Sequence, residues 1–308
     1  MFSVVHKEEN AHDDAIWACK WREKTDENGS TNHVVTGSLD NAAKLWRWSE
    51  TSGLRCTHTL EGHQLGILSC DIAVDSSVAV TSSSECSVRV WNLDDGEQMC
   101  AIDASPMNSW QVRLSPDGQT IATGTIGGKV NLYNASTGEH LQTLDTVAGK
   151  FILSVAYSPD GHYLAAASNE GIVYVFDVGT QKLLKNFECH ALAIRSLMFT
   201  ADSQILVTGS DDKYVKLHDI VNANQQLIAT LPGHSCWVLD VDVSSTNRQI
   251  ASGSADHSVR IWDMGERQLL HTFNEHQDQV WGVSYNADGS RLLSVGEDKM
   301  MVICSIPV

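Results

Sequence analysis

At 308 residues the chain is longer than one ordinary compact core fills, which calls for two domains or one repetitive architecture. Charged residues at 19% and the residues AVILMFWYC at 42% give a globular rather than a disordered balance, and no apolar run approaches the ~20 residues of a membrane span. A net charge of −17, from 21 Lys and Arg against 38 Asp and Glu, lacks the basic footprint of a direct nucleic-acid binder and opposes anionic membranes, leaving proteins as the natural partners.

The opening residues, Met1 to Glu9, carry no basic segment followed by an apolar one, so secretion is not expected. Phe2 to Lys7 reads as a strand. The eight cysteines are scattered without a C-x-x-C pair and read as reduced thiols of a cytoplasmic and nuclear protein. The sequons at Asn28 and Asn134 are then expected to stay unused.

Past the first strand a repeat takes over. Segments ending at Trp46, Trp91, Tyr133, Phe176, His218, Trp262 and Cys304 recur at intervals of 45, 42, 43, 42, 44 and 42 residues. Six positions before each end stands Asp40, Glu85, Gly127, Glu170, Asp212, Asp256 or Asp298. Twenty-two positions before that stands His63, Ser105, Ala148, His190, His234 or His276, whereas the first unit has His12 at 28. Its six extra residues fall in the polar stretch from Glu23 to Ser30, which reads as a lengthened loop. Each unit alternates strand-forming residues with a period of two, as at Val88 and Val90, or Val259 and Ile261. Turn signals such as Ser115-Pro116-Asp117-Gly118 and Ser158-Pro159-Asp160-Gly161 separate the strands. No helical spacing long enough to alternate with strands is present, so the chain is expected to be all-β.

Gly62-His63, Gly233-His234, Gly253-Ser254-Ala255-Asp256 and Trp262-Asp263 resemble WD40 repeats along the whole chain. The resemblance implies a seven-bladed β-propeller with blade cores at roughly 11–60, 61–103, 104–146, 147–188, 189–232, 233–274 and 275–308 plus 2–9. It also implies hydrogen-bonded tetrads: His12, Thr36, Asp40 and Trp46; His63, Thr81, Glu85 and Trp91; and His234, Ser252, Asp256 and Trp262. His218 and Cys304 leave the fifth and seventh units without an indole donor, and the third and fourth keep neither the histidine nor the acid-and-tryptophan pair. The seventh unit has room for three strands before Val308, so Phe2 to Lys7 is expected to supply its fourth and remove an open edge.

The wealth of Ser, His and Asp invites a hydrolase reading, but these residues recur at fixed offsets in several units, whereas a catalytic triad is needed once. There is no G-x-S-x-G elbow, and Phe151 follows Gly149-Lys150 where a phosphate loop needs a hydroxyl. Five of the thirteen histidines fill the tetrad slot and no zinc spacing appears, so neither a metal, nor a cofactor, nor an enzyme is expected.

The functional signal is aromatic. Five residues after the histidine slot stand Trp17, Trp110, Trp281 and, in the fifth unit, Arg195; two positions earlier in their own units stand Phe151 and Trp237. In a propeller these positions ring the narrow end of the channel, and Asp211 and Glu297, just before the acidic slot, face the same end. One aromatic could simply plug the channel, but several with arginine have the composition of a protein-binding hot spot. An aromatic floor with acidic neighbours suits a peptide bearing an arginine and an apolar anchor.

The runs from Ala11 to Trp17, Glu61 to Gly66, Gly149 to Ser154 and Glu275 to Val283 narrow the resemblance to the WD40 subunits of the superkiller (Ski) complex. That resemblance implies a non-catalytic scaffold, monomeric when isolated, docked on a large tetratricopeptide subunit beside an RNA helicase in exosome-mediated 3′-to-5′ mRNA decay. In animals it further implies membership of the RNA polymerase II-associated factor (PAF) complex, in transcription elongation and histone modification. The alternative is a generic WD40 adaptor such as a ubiquitin-ligase substrate receptor, which calls for a basic phosphate pocket where the rim offers Arg195 and few other cations.

Overall fold

A computed structural model of the chain describes residues 1–26, 29–103, 109–222 and 227–308. These residues form seven four-stranded antiparallel sheets, six of them meanders of consecutive strands. The seventh pairs Val280–Tyr285, Arg291–Gly296 and Met301–Ser305 with the N-terminal strand Ser3–Glu8, in the register Ser3↔Ser305 to Glu8↔Met301. The expected all-β, seven-bladed propeller closed by the first strand is therefore the fold. Phe2 stacks on His271 at 4.7 Å, and Lys7 pairs with Glu275 at 2.7 Å, so the closing strand also ties back to the sixth blade and its exit.

The inner strands are Ile16–Asp26, Ile67–Ile72, Ser109–Leu114, Ile152–Tyr157, Ile194–Phe199, Val238–Val243 and Val280–Tyr285. Each touches the next, and the last touches the first, so they enclose a central channel. Apolar side chains from facing sheets fill the wedges between blades, as where Ile16, Trp21 and Trp46 meet Leu293, Met301 and Ile303. The channel edge of a sheet carries backbone N–H groups that the sheet cannot pair, and in five blades polar side chains of the preceding blade accept from them. Asp71 takes Leu114 N at 2.9 Å, Gln111 takes Val155 N at 2.7 Å, and Ser154 takes Leu197 N at 3.1 Å. Asp240 takes Val283 N at 2.9 Å, Asp242 takes Tyr285 N at 2.8 Å, and Ser284 takes Trp21 N at 3.1 Å. These Asp, Ser and Gln side chains thus tie neighbouring blades at five of the seven seams.

The six extra residues of the first unit do not form the expected loop. They lengthen a hairpin: Ile16–Asp26 pairs with Gly29–Ser38 through Lys24↔Thr31 and Thr25↔Ser30 to Asp26↔Gly29. The described residues of the extension, Glu23 to Asp26 with Gly29 and Ser30, find ladder partners, and the Trp21 indole donates to Asn32 at 2.9 Å. Asn28 of the first sequon and Ser105 of the third histidine slot lie outside the described residues.

The implied tetrads form. His12 Nδ1 lies 2.8 Å from Asp40, its Nε2 lies 2.8 Å from Thr36, and Trp46 donates to Thr36 at 2.9 Å. His63, Glu85, Thr81 and Trp91 repeat the chain with glutamate, and His234, Asp256, Ser252 and Trp262 repeat it at 2.8 Å throughout. Burial opposes ionisation of Asp40 and Asp256, but their histidines and nearby backbone N–H donors overcome it and hold both carboxyls far below the carboxylate range. Blades five and seven lack the indole yet keep the rest: His190 joins Asp212 and Thr208, and His276 joins Asp298 and Ser294. In blade five His218 fills the tryptophan position and meets Cys189 Sγ at 2.9 Å. Glycine in the Gly253-Ser254-Ala255-Asp256 motif is required by packing, since a Cβ there would stand 2.9 Å from Val280 of the next blade.

Candidate functional site

Between the inner and second strands of every blade the pairing slips by one residue. The slips fall at Ile16/Ala18, Ile67/Ser69, Ser109/Val112, Ile152/Ser154, Ile194/Ser196, Val238/Asp240 and Val280/Gly282. The residues inside those slips are Trp17, Leu68, Trp110 with Gln111, Leu153, Arg195, Leu239 and Trp281. A bulge re-aims the side chain it carries. Here it turns seven consecutive bulged positions onto one cavity, at the mouth where the inner strands begin. This is the physical reason that the position five after the histidine slot is special: it is the bulged residue, free of the ladder and of the wedge between blades.

Around that mouth the aromatic residues form three clusters rather than one continuous floor. Trp17 and Trp281, from the first and seventh blades, stack at 4.3 Å with 20° between their planes, and both indoles donate to Glu297 Oε2, at 3.4 and 2.7 Å. Trp110 meets Phe151 edge to face at 5.6 Å. Arg195 makes a two-pronged pair with Asp211 at 2.8 and 2.9 Å, while its guanidinium lies 5.4 Å from the centre of the Trp237 ring. Trp17, Trp110, Phe151, Arg195 and Trp281 are half-buried, and Trp237 is 45% exposed. Phe151 and Trp237, which precede their bulges, stand outside the cavity wall and touch it through Trp110 and Arg195.

Leu68, Leu153 and Leu239, not singled out from the sequence, complete the ring of seven. Nor was an apolar collar of Leu65, Ile126, Val147 and Leu192, which stand in turns at the end where the inner strands begin and are all about half exposed or more. A signal for the collar was present: Leu65 and Leu192 each stand two after a tetrad histidine, and Ile126 holds the place of Asp211 and Glu297 in its own unit. Below the ring the cavity is lined by Cys19, Ser69, Cys70, Arg113 and Asp240. Burial pushes the Asp240 carboxyl above the usual range, against the Ser196 hydroxyl and the Val283 N–H that bond it. Among the described residues no group of three or more His, Cys, Asp or Glu could hold a metal ion. The arrangement offers flat rings, one half-satisfied carboxylate and an apolar border, which is equipment for binding.

Similar proteins agree on the family. WD40 repeats (WD domain, G-beta repeat) match residues 4–47, 54–92, 138–177, 181–219, 225–263 and 267–305, leaving out most of the third blade, whose acid slot is Gly127. The chain is 37% identical over 303 residues to WD repeat-containing protein SL1-17 of Schistosoma mansoni, covering 98% of this chain and 99% of that one. It is 36% identical over 258 residues to WD repeat-containing protein VIP3 of Arabidopsis thaliana, covering 79% and 78%. Against the meiotic recombination protein rec14 of Schizosaccharomyces pombe it is 26% identical over 226 residues, covering 73% and 72%. With six matched repeats, seven four-stranded blades and histidine–carboxylate pairs locking five of them, this protein belongs to the WD40 repeat family of protein-interaction scaffolds.

Proposed function

We propose that the protein is a non-catalytic subunit of a larger assembly, and that its bulge-ringed mouth holds short segments of the other subunits. One observation carries this reading: the seven bulges bring Trp17, Trp110, Arg195 and Trp281 to a single cavity, at the end where turns expose Leu65, Ile126, Val147, Leu192 and Trp237. Collars of exposed apolar side chains around aromatic and arginine centres are the composition of interaction sites. The segment bound there carries an arginine and an apolar anchor. Its arginine goes to Glu297, because Asp211 is already taken on both oxygens by Arg195, whereas Glu297 Oε1 has no partner among the described residues.

The assembly is the Ski complex, with a large tetratricopeptide subunit and an RNA helicase as neighbours in mRNA decay by the exosome; in animals the PAF complex, in transcription elongation and histone modification, is the second home. Residence is cytoplasmic and nuclear. The support is the resemblance of the runs at Ala11 to Trp17 and Glu275 to Val283, which hold the two stacked tryptophans, together with relatives alike over most of their length. Affinity purification of the tagged chain followed by mass spectrometry tests it. Recovery of a tetratricopeptide protein with a helicase, lost on Trp281→Ala, supports the proposal. Recovery of cullin-ligase subunits instead would overturn it in favour of a substrate receptor.

A further inference from the structure

At the other end of the channel, where the inner strands finish, two adjoining cavities share Arg22, Val74, Pro159, Met198 and Phe199. Donors converge there without acceptors to match. The Arg22 guanidinium meets no hydrogen-bond acceptor and no carboxylate within 4.0 Å among the described residues, and its Nε is buried. Arg113 gives Nη1 to Ser69, Cys70 and Val112 oxygens, but its buried Nε has no partner. Lys20, 5% exposed, has its ammonium 3.6 Å from Asp242, a distance too long for a hydrogen bond. The Tyr285 hydroxyl is likewise unpartnered in a side chain only 4% exposed.

None of the acids lining these cavities pairs with Arg22, and each has a partner of its own. Asp71 accepts from Ile72 N and Leu114 N, Asp242 accepts from Tyr285 N, and Glu23 accepts from Ser30. In a chain with 38 acidic residues against 21 basic ones, an arginine left without any of them marks a place where an outside acid fits. The rim fixes what carries that acid. Val74, 58% exposed, stands with Pro116, Pro159 and Met198 around the opening, so the occupant brings apolar groups on either side of its charge.

We propose that this mouth is a second docking site, independent of the aromatic one, for a partner segment presenting an Asp or Glu side chain between apolar residues. The carboxylate enters toward Arg22 and the Tyr285 hydroxyl, and the apolar neighbours rest on Val74, Pro116, Pro159 and Met198.

Panning a phage-displayed library of random nine-residue peptides on the immobilised full chain tests this. The selected peptides are then synthesised and their affinities measured by fluorescence anisotropy against three variants. We expect a class rich in Asp or Glu beside apolar residues whose affinity falls at least tenfold with Arg22→Gln and is unchanged with Trp281→Ala. Arg22 has no partner to lose, so Arg22→Gln is expected to melt with the parent chain. Val74→Glu sets a like charge on an exposed rim position and should release the same peptides. If no selected peptide responds to Arg22→Gln or Val74→Glu, or if those that respond carry no acid, the second site is overturned. Peptides that respond to Trp281→Ala alone would leave the aromatic mouth standing and refute this one; the converse would separate the two in the other direction.

Discussion

Single residues at the aromatic mouth have unequal tasks. Trp17 and Trp281 stack on each other and share Glu297, so each already contributes to the fold besides being available to a partner. An aromatic pair contributes about 0.5–1.5 kcal/mol beyond its buried area, so Trp17→Ala or Trp281→Ala should cost ~1 kcal/mol of stability and far more in partner capture. Trp237→Ala, at an exposed ring, should leave the melt within about 0.5 kcal/mol of the parent. Trp262→Ala is the contrast, because a buried ring and its hydrogen bond to Ser252 both go, at a cost of ~3–5 kcal/mol. Chemical denaturation of the four variants alongside partner pull-down checks the order. A Trp281→Ala chain as unstable as Trp262→Ala would show the stacked pair to be core filler. The aromatic positions were legible in the sequence from their shared offset once the WD40 resemblance had supplied the propeller. What spacing did not give was the sharing of Glu297 by two blades far apart in the chain, since contact between residues 17 and 297 exists only once the ring has closed.

At the scale of one blade, the fifth shows how a substituted tetrad behaves. Burial, with the charges of His190 and Lys216 adding to it, lowers the His218 pKa to about 4 from the ordinary 6.5. Burial likewise lowers His63, His190 and His234, against the acids paired with them. A histidine whose folded value lies below its unfolded one favours the fold when neutral. That stability is complete above 6.5 and is lost as the pH falls toward the folded value. The tetrad acids add to the loss lower down, because their folded values are depressed and their contribution drops once the pH passes below 3.8. The melting temperature should therefore fall steadily from about pH 6.5 to about pH 4. His218→Phe should flatten that fall, because phenylalanine cannot take a proton and Phe176 already fills the same slot in blade four, fully buried. Differential scanning fluorimetry across the pH range reads both curves; parallel curves would show that His218 has no part in the acid response.

Across the whole molecule, closure is the feature on which the rest depends. The strand Ser3–Glu8 covers Met301–Ser305, and Phe2 and Val4 pack against the cluster that holds Phe273, Tyr285 and Ile306. Removing residues 1–9 uncovers a strand edge and loses about 2 kcal/mol or more from Phe2 and Val4 alone, which lowers the melting temperature by ~5 °C or more. It also exposes a pairing edge, so the truncated chain should associate with itself on size-exclusion chromatography, and the peptide of residues 1–9 added in trans should restore both properties. A truncated chain that melts with the parent would mean that the ring holds without its latch.

Periodicity marked seven strand-rich units, the seventh one strand short, and the WD40 resemblance turned those units into blades with tetrads, because a repeat must bury the same face each time. The implied propeller then put Trp17, Trp110, Arg195 and Trp281, which share one offset in their units, at one end. Three things were decided by the tertiary structure. The residues after Trp21 became a longer hairpin because strands from Lys24 and Thr31 found each other, which composition read as loop cannot register. The bulges that aim seven side chains into one mouth arise where an extra residue must be absorbed to let inner strands crowd the axis. And Arg22 is left without an acid in a strongly acidic chain while Asp71 and Asp242, which line the cavities with it, accept from the backbone of the next blade, an arrangement set by the ring and not by any stretch of sequence.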